Sequence, residues 1–105
     1  MPAATICKII THPELEQAIR TGSFAGSTLD QADGFLHFST EAQVAGTLAA
    51  HYAGATDLWL IRVRTEVLGD DLRWEKSREG SLFPHLYGTL LTRKVDCIEP
   101  IDAQP

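Results

Sequence analysis

Twice in this chain of 105 residues an apolar run is followed without a gap by residues that start a helix, and these two pairings limit what the chain can become. Thr5-Ile6-Cys7-Lys8-Ile9-Ile10 is β-branched and apolar, a first strand with Lys8 as its one charged position. Thr11-His12-Pro13-Glu14 then has the form of a capping box. The threonine hydroxyl takes an early helical N–H, Glu14 reaches back to the cap, and proline suits the first turn. The spacing predicts a helix of about ten residues with Leu15, Ala18 and Ile19 on its packed face and Gly22 ending it in a left-handed conformation. The second pairing is Gly34-Phe35-Leu36-His37-Phe38-Ser39-Thr40. Its alternation puts Phe35, His37 and Ser39 on one face and Leu36 and Phe38 on the other. Thr40-Glu41-Ala42-Gln43 repeats the capping logic, Val44, Leu48 and Tyr52 recur every four residues, and Gly54 is placed to end this second helix.

Between these pairings, Ser23 to Asp33 is rich in Gly, Ser, Thr and Asp and reads as an ordered loop anchored by Phe24 and Leu29. Asp57-Leu58-Trp59-Leu60-Ile61-Arg62-Val63 is the most apolar segment, a central strand with Leu58 and Leu60 opposite Trp59, Ile61 and Val63. Thr65 to Asp71 reads as a turn or one helical turn, Leu72-Arg73-Trp74-Glu75 as a short strand, and Lys76 to Ser81 as a mobile loop. Lys94 to Ile101 alternates as a closing strand. The expected fold is a single small α+β domain over residues 1–105 with two main helices.

Charge and composition narrow the partners. Lys plus Arg total 9 against 14 for Asp plus Glu, a formal charge of -5, which works against a surface for duplex nucleic acid. No apolar run reaches the roughly 18–20 residues of a membrane-spanning helix, and the N-terminus lacks a signal pattern, so a cytoplasmic protein with no membrane partner is expected. Cys7 and Cys97 each sit in an apolar run without CxxC spacing, which predicts two buried thiols in core strands. No close pair of histidines or cysteines suggests a metal, and no glycine-rich phosphate loop of the Walker or dinucleotide type is present.

The candidate chemistry lies in three stretches. His37 is either a base, donor or anion partner or a half-buried histidine bonded to backbone; Ser39 and Thr40 follow it at the start of a helix, where an anion and a plain cap are both accommodated. A histidine two residues before a serine is also half the signature of the two-histidine phosphoesterases, but His85-Leu86-Tyr87 does not supply the other half. In Arg73-Trp74-Glu75, Arg73 and Glu75 share a strand face and Trp74 points away; a salt bridge between the two is the ordinary outcome and ligand anchoring the other. Pro84-His85-Leu86-Tyr87-Gly88 reads as a turn presenting two polar tips, His85 and Tyr87. His12 and His51 look peripheral.

Taken in order over residues 6–99, the stretch Gly34 to Val44, then Arg73-Trp74-Glu75, then Phe83-Pro84-His85-Leu86-Tyr87-Gly88, resembles the bacterial family of domain of unknown function 952. The resemblance implies an α+β fold similar to that of the ADP-ribosyltransferases, in which a small, curved, split mixed sheet holds a nicotinamide-nucleotide cleft, with NAD as the cofactor. By strand order Lys8 and Ser39 would take the first two binding roles, although members often carry Tyr-His or Tyr-Lys where this chain has Cys7-Lys8. No glutamate stands in the late turn, where His85 and Tyr87 are found instead. The expectation is one cleft for a small-molecule nucleotide or ADP-ribose ligand. His37, His85 and Tyr87 would do its chemistry, and Lys8, Ser39, Thr40, Arg73, Trp74 and Glu75 would hold the ligand, Arg73 at the phosphate. Two alternatives stand beside it: a non-catalytic module for a metabolite or peptide, and a polar network that only fixes the fold.

Overall fold

The computed structural model describes residues 4–102. The strand β1 (Thr5–Thr11) runs directly into the helix α1 (His12–Thr21), whose capping box from Thr11 and Glu14 forms as the residues dictate, and Gly22 closes it at φ 87°. Ser23 to Asp33 is not a loop. It holds the two-residue strand β2 (Ser23–Phe24) and a short helix α2 (Thr28–Asp33), opened by a second capping box in which Ser27 and Asp30 take the two roles. The stretch that follows is two strands rather than one, β3 (Leu36–His37) and β4 (Ser39–Thr40), because the chain changes sheets at Phe38. Thr40 and Gln43 then cap a 3₁₀ turn that continues as α3 (Val44–His51). That helix ends at Tyr52, two residues before Gly54.

The strand β5 (Leu58–Arg64) and two 3₁₀ turns lead to β6 (Leu72–Lys76), and a hairpin closed by the Ser77 N–H on the Ser81 carbonyl returns the chain as β7 (Leu82–Leu86). Pro84 and His85 are thus strand residues and not a turn. Pro84 still accepts the Phe38 N–H at 3.0 Å but has no N–H to return, and the β3 ladder ends at His37, opposite His85. The short β8 (Leu90–Leu91) pairs with β2, and β9 (Cys97–Ile101) closes the order β4-β1-β5-β9 of the larger sheet. A third sheet has the order β3-β7-β6. The fold is α+β with a split sheet. Every strand pair among the described residues is antiparallel, where a mixed sheet was expected. The bond from the His12 N–H to the Asp57 carbonyl shows why for the central pair: it fastens the end of β1 to the start of β5, so the two run in opposite directions.

The four-stranded sheet is covered on both faces, which explains the near-continuous apolar run in β5. One face carries Ile6, Ile10, Ile61 and Val63 and packs against α1 and the inner side of the β3-β7-β6 sheet through Leu15, Leu36 and Leu86. The other carries Cys7, Ile9, Leu58 and Leu60 and packs against Val44 and Leu48 of α3. Ile19, expected on the packed face of α1, is 69% exposed; with Leu15 and Ala18 buried, the buried stripe is narrower than the periodicity implied. No helix of the described residues is long and apolar enough to cross a membrane.

The cysteines part company. Cys7 is buried, but Cys97 is exposed, because β9 is the edge of its sheet. Both stand opposite Arg62, on either side of β5, so their backbones lie about 10 Å apart, too far for a disulfide. Burial, followed by the Glu41 carboxylate, pushes the Cys7 thiol up to about 12 against the opposing pull of Arg62. A native sample titrated with a thiol-reactive disulfide near pH 8 is therefore expected to report one reactive thiol and an unfolded sample two; two fast thiols in the native protein would contradict this burial.

Candidate functional site

The strand β4 pairs with only Ile6 and Cys7 of β1, so beyond them the same edge of β1 faces a cleft. This cleft has a volume of about 400 Å³. Its floor is Lys8, Ile9 and Thr11 of β1; its walls come from the start of α2, from His37, Phe38 and Ser39, from Thr47 and His51 of α3, and from Tyr52, which caps that helix. The Ser39 and Thr47 hydroxyls are 2.8 Å apart, and the Tyr52 hydroxyl donates to the Ile9 carbonyl at 3.4 Å. Burial, then the carboxylates of Glu14 and Asp30, pushes the Tyr52 phenol up to about 12, so it is a hydrogen-bonding group at neutral pH.

Asp30 organises the polar wall. One carboxylate oxygen accepts the Ser27 N–H at 2.8 Å and lies 2.7 Å from the Lys8 ammonium. The other accepts the His37 backbone N–H at 3.0 Å and lies 2.6 Å from His37 Nδ1. Lys8 also donates to the His37 carbonyl at 3.0 Å, and His37 Nε2 lies 3.0 Å from Asp33. Burial alone would raise the Asp30 carboxyl, but the His37 hydrogen bond and the Lys8 charge outweigh it and hold the group well below the usual carboxylate range. The aspartate can sit in this position because Ser27 caps α2 with Asp30 at the third helical residue.

Around His37 the cleft meets the outer face of the three-stranded sheet. Strand pairing sets His37 opposite His85 and His85 opposite Arg73, a row of three side chains across β3, β7 and β6. Phe35 lies against all the rings on this face, 4.5 Å from His37, 4.2 Å from His85 and 4.9 Å from Tyr87 between centroids. One oxygen of Glu75 receives both His85 Nδ1 at 2.7 Å and the Tyr87 hydroxyl at 2.8 Å, which holds the Glu75 carboxyl below its ordinary range and raises the Tyr87 phenol. Arg73 and Glu75 do not pair. The guanidinium lies over the Tyr87 ring, 4.9 Å from its centroid, while Glu75 is taken by the cross-strand histidine.

The expected residues thus fall into three groups. Lys8, His37 and Ser39 line the cleft. Arg73, Glu75, His85 and Tyr87 share the adjoining sheet face, linked to His37 through Phe35. Thr40 and Trp74 belong to the scaffold: the Thr40 hydroxyl caps Gln43 at 3.2 Å, and Trp74, on the opposite face of β6, packs against the core. Lys8 is in the cleft floor, but its side chain is only 5% exposed and its charge is taken by Asp30. Sequence reasoning missed Asp30, Asp33, Thr47 and Tyr52 as site residues. For Asp30 a signal existed, since Ser27-Thr28-Leu29-Asp30 is a capping sequence with aspartate in the glutamate position.

Solved structures of one bacterial protein are similar along most of the chain. The crystal structure of CC0527 from Caulobacter crescentus is 43% identical over 93% of this chain and 86% of its own, with a TM-score of 0.90. A double mutant of that protein gives 42% and 0.90, and its solution NMR structure 42% and 0.85 over 95% of this chain. No curated protein matches at a significant level. A family model described as "Protein of unknown function (DUF952)" matches residues 9–97, nearly the whole described fold and both parts of the site, and the chain belongs to that family.

Proposed function

We propose that the cleft at the open edge of β1 binds a nucleotide or ADP-ribose ligand, and that the split-sheet fold is related to that of the ADP-ribosyltransferases. The observation that carries this reading is the position of His37, which is shared between a cleft of about 400 Å³ and the row of His85 and Arg73 on the adjoining sheet face. A volume of this size is within the range of small-molecule pockets. Its lining combines apolar surface from Ile9, Phe38 and Phe83 with hydroxyls from Ser27, Ser39 and Thr47, which suits a ring and its ribose. The residues present fit the nucleoside part of NAD in this way.

Addition of ADP-ribose or NAD to isotope-labelled protein should shift the backbone signals of His37, Ser39, Thr47 and Tyr52 at millimolar ligand. Loss of the His37 ring, which lines the cleft and packs against Phe35, should weaken binding about tenfold in His37→Ala. Silence at all four positions with both ligands ends the proposal.

One observation favours a second reading, in which the ligand is also processed. Glu75 brings to His85 and Tyr87 the carboxylate that their own segment lacks. Release of nicotinamide from NAD by the wild type, lost in Glu75→Gln with binding retained, would support turnover; binding without release in the wild type would leave a pure binding module.

A further inference from the structure

Of the two cations expected to hold the ligand, Lys8 and Arg73, only one is available to it. The Lys8 ammonium lies 2.7 Å from Asp30 and 3.0 Å from the His37 carbonyl, and both ionic side chains are almost wholly buried. A phosphate reaching Lys8 would have to displace a carboxylate that also holds Ser27 and His37. With Lys8 and Asp30 offsetting each other, Glu14 adds negative charge to the lining. The inner cleft is therefore built for hydroxyls and rings and against an anion.

Arg73 is the opposite case. It is exposed, and among the described residues no carboxylate oxygen comes within ion-pair distance of it. Its guanidinium lies over the Tyr87 ring, Tyr87 touches Phe35, and Phe35 touches His37 at the cleft. The row His37, His85, Arg73 crosses two strand spacings, about 10 Å, which a nucleoside and its first phosphate can span. Two carboxylates of this region are engaged, Asp33 by His37 and Glu75 by His85 and Tyr87, and that of Asp71 lies against Gly88 outside ion-pair distance of Arg73.

We infer, resting on the nucleotide reading, that the ligand enters nucleoside first and lies across Phe35, with its phosphate outside the cleft against Arg73. The cleft then selects the uncharged end of its ligand, and phosphate adds affinity only at the mouth.

Calorimetric titrations with adenosine, AMP and ADP-ribose at low salt test this in the wild type, Arg73→Gln and Arg78→Gln, the last because Arg78 follows the cleft residue Ser77 in sequence. Adenosine should bind the wild type and Arg73→Gln equally, which also shows that the variant is folded. AMP should bind the wild type about fivefold more tightly than adenosine, and Arg73→Gln or 1 M salt should abolish that gain. A gain that survives Arg73→Gln, a gain lost in Arg78→Gln instead, no gain at all, or a nucleotide that binds where its nucleoside does not would each overturn the inference while leaving a nucleotide site in place. Failure of all three ligands to bind the wild type removes the nucleotide reading itself.

Discussion

Asp30→Ala should lower the free energy of unfolding by about 3–5 kcal/mol, the cost of stranding one member of a buried ion pair. Lys8 and Asp30 are 5% and 2% exposed in their side chains, so the ammonium left behind recovers little of its hydration. The same substitution removes the acceptor of the Ser27 and His37 backbone N–H groups. Against a typical total of 5–15 kcal/mol the loss is large, and it should appear as a lower urea midpoint. The pH dependence follows from the sign of the shift. The Asp30 carboxyl is held below its unfolded value, so its contribution is complete above an unfolded pKa of about 4 and is lost as pH falls below that toward the depressed folded value. In that window the unfolded chain binds a proton that the folded one does not. Stability therefore rises with pH there in the wild type, and Asp30→Asn should flatten the slope. A double-mutant cycle with Lys8→Met should give a coupling of about 0.5–3 kcal/mol. A loss under 1 kcal/mol together with an unchanged acid slope would show that the network is dispensable to the fold.

The parts of this fold that can be read from sequence are those settled by near neighbours. Thr11 with Glu14 and Thr40 with Gln43 form their caps from residues three apart, and the alternation through Phe35, His37 and Ser39 survives although the chain changes sheets at Phe38. What escapes is decided across the chain. Arg73 and Glu75 share a face of β6, yet neither takes the other, because His85 of β7 and Tyr87 just after it take Glu75, while Arg73 lies over the Tyr87 ring. Cys97 alternates like a core residue but lies on an edge strand, and only the strand order reveals that. Lys8, read as a ligand contact, is instead neutralised by an aspartate from α2, a helix concealed in a stretch whose Gly, Ser and Asp content argues for a loop. The order of three motifs led to the expectation of one cleft lined by His37, His85 and Arg73; His37 lines the cleft, and the other two stand beside it in a row on the adjoining sheet face. The cause of that row is strand register, which no local pattern encodes.

That hidden helix supplies the other large effect. Gly26→Ala should destabilise the protein by about 2–5 kcal/mol, from left-handed strain of about 1–2 kcal/mol and overpacking of about 1–3 kcal/mol. Gly26 has φ +91°, and a Cβ there would stand 2.8 Å from Leu36 Cδ2 and 2.9 Å from Asp30 Cβ. Neither neighbour can yield cheaply, since Leu36 is in the core and Asp30 is pinned by Lys8 and His37. Gly34 is the internal comparison. It closes the same helix at φ +86° with nothing within 4 Å of its would-be Cβ, so Gly34→Ala should carry the backbone strain without the collision. The difference between the two variants in chemical denaturation isolates the packing of the segment around Asp30. It also reaches the site, because an alanine at position 26 that displaces Asp30 must loosen its hold on the His37 ring. Gly26→Ala should therefore move the His37 side-chain resonances while Gly34→Ala leaves them near their wild-type positions. Equal losses in the two variants, with His37 undisturbed in both, would mean that this close approach does not position the histidine.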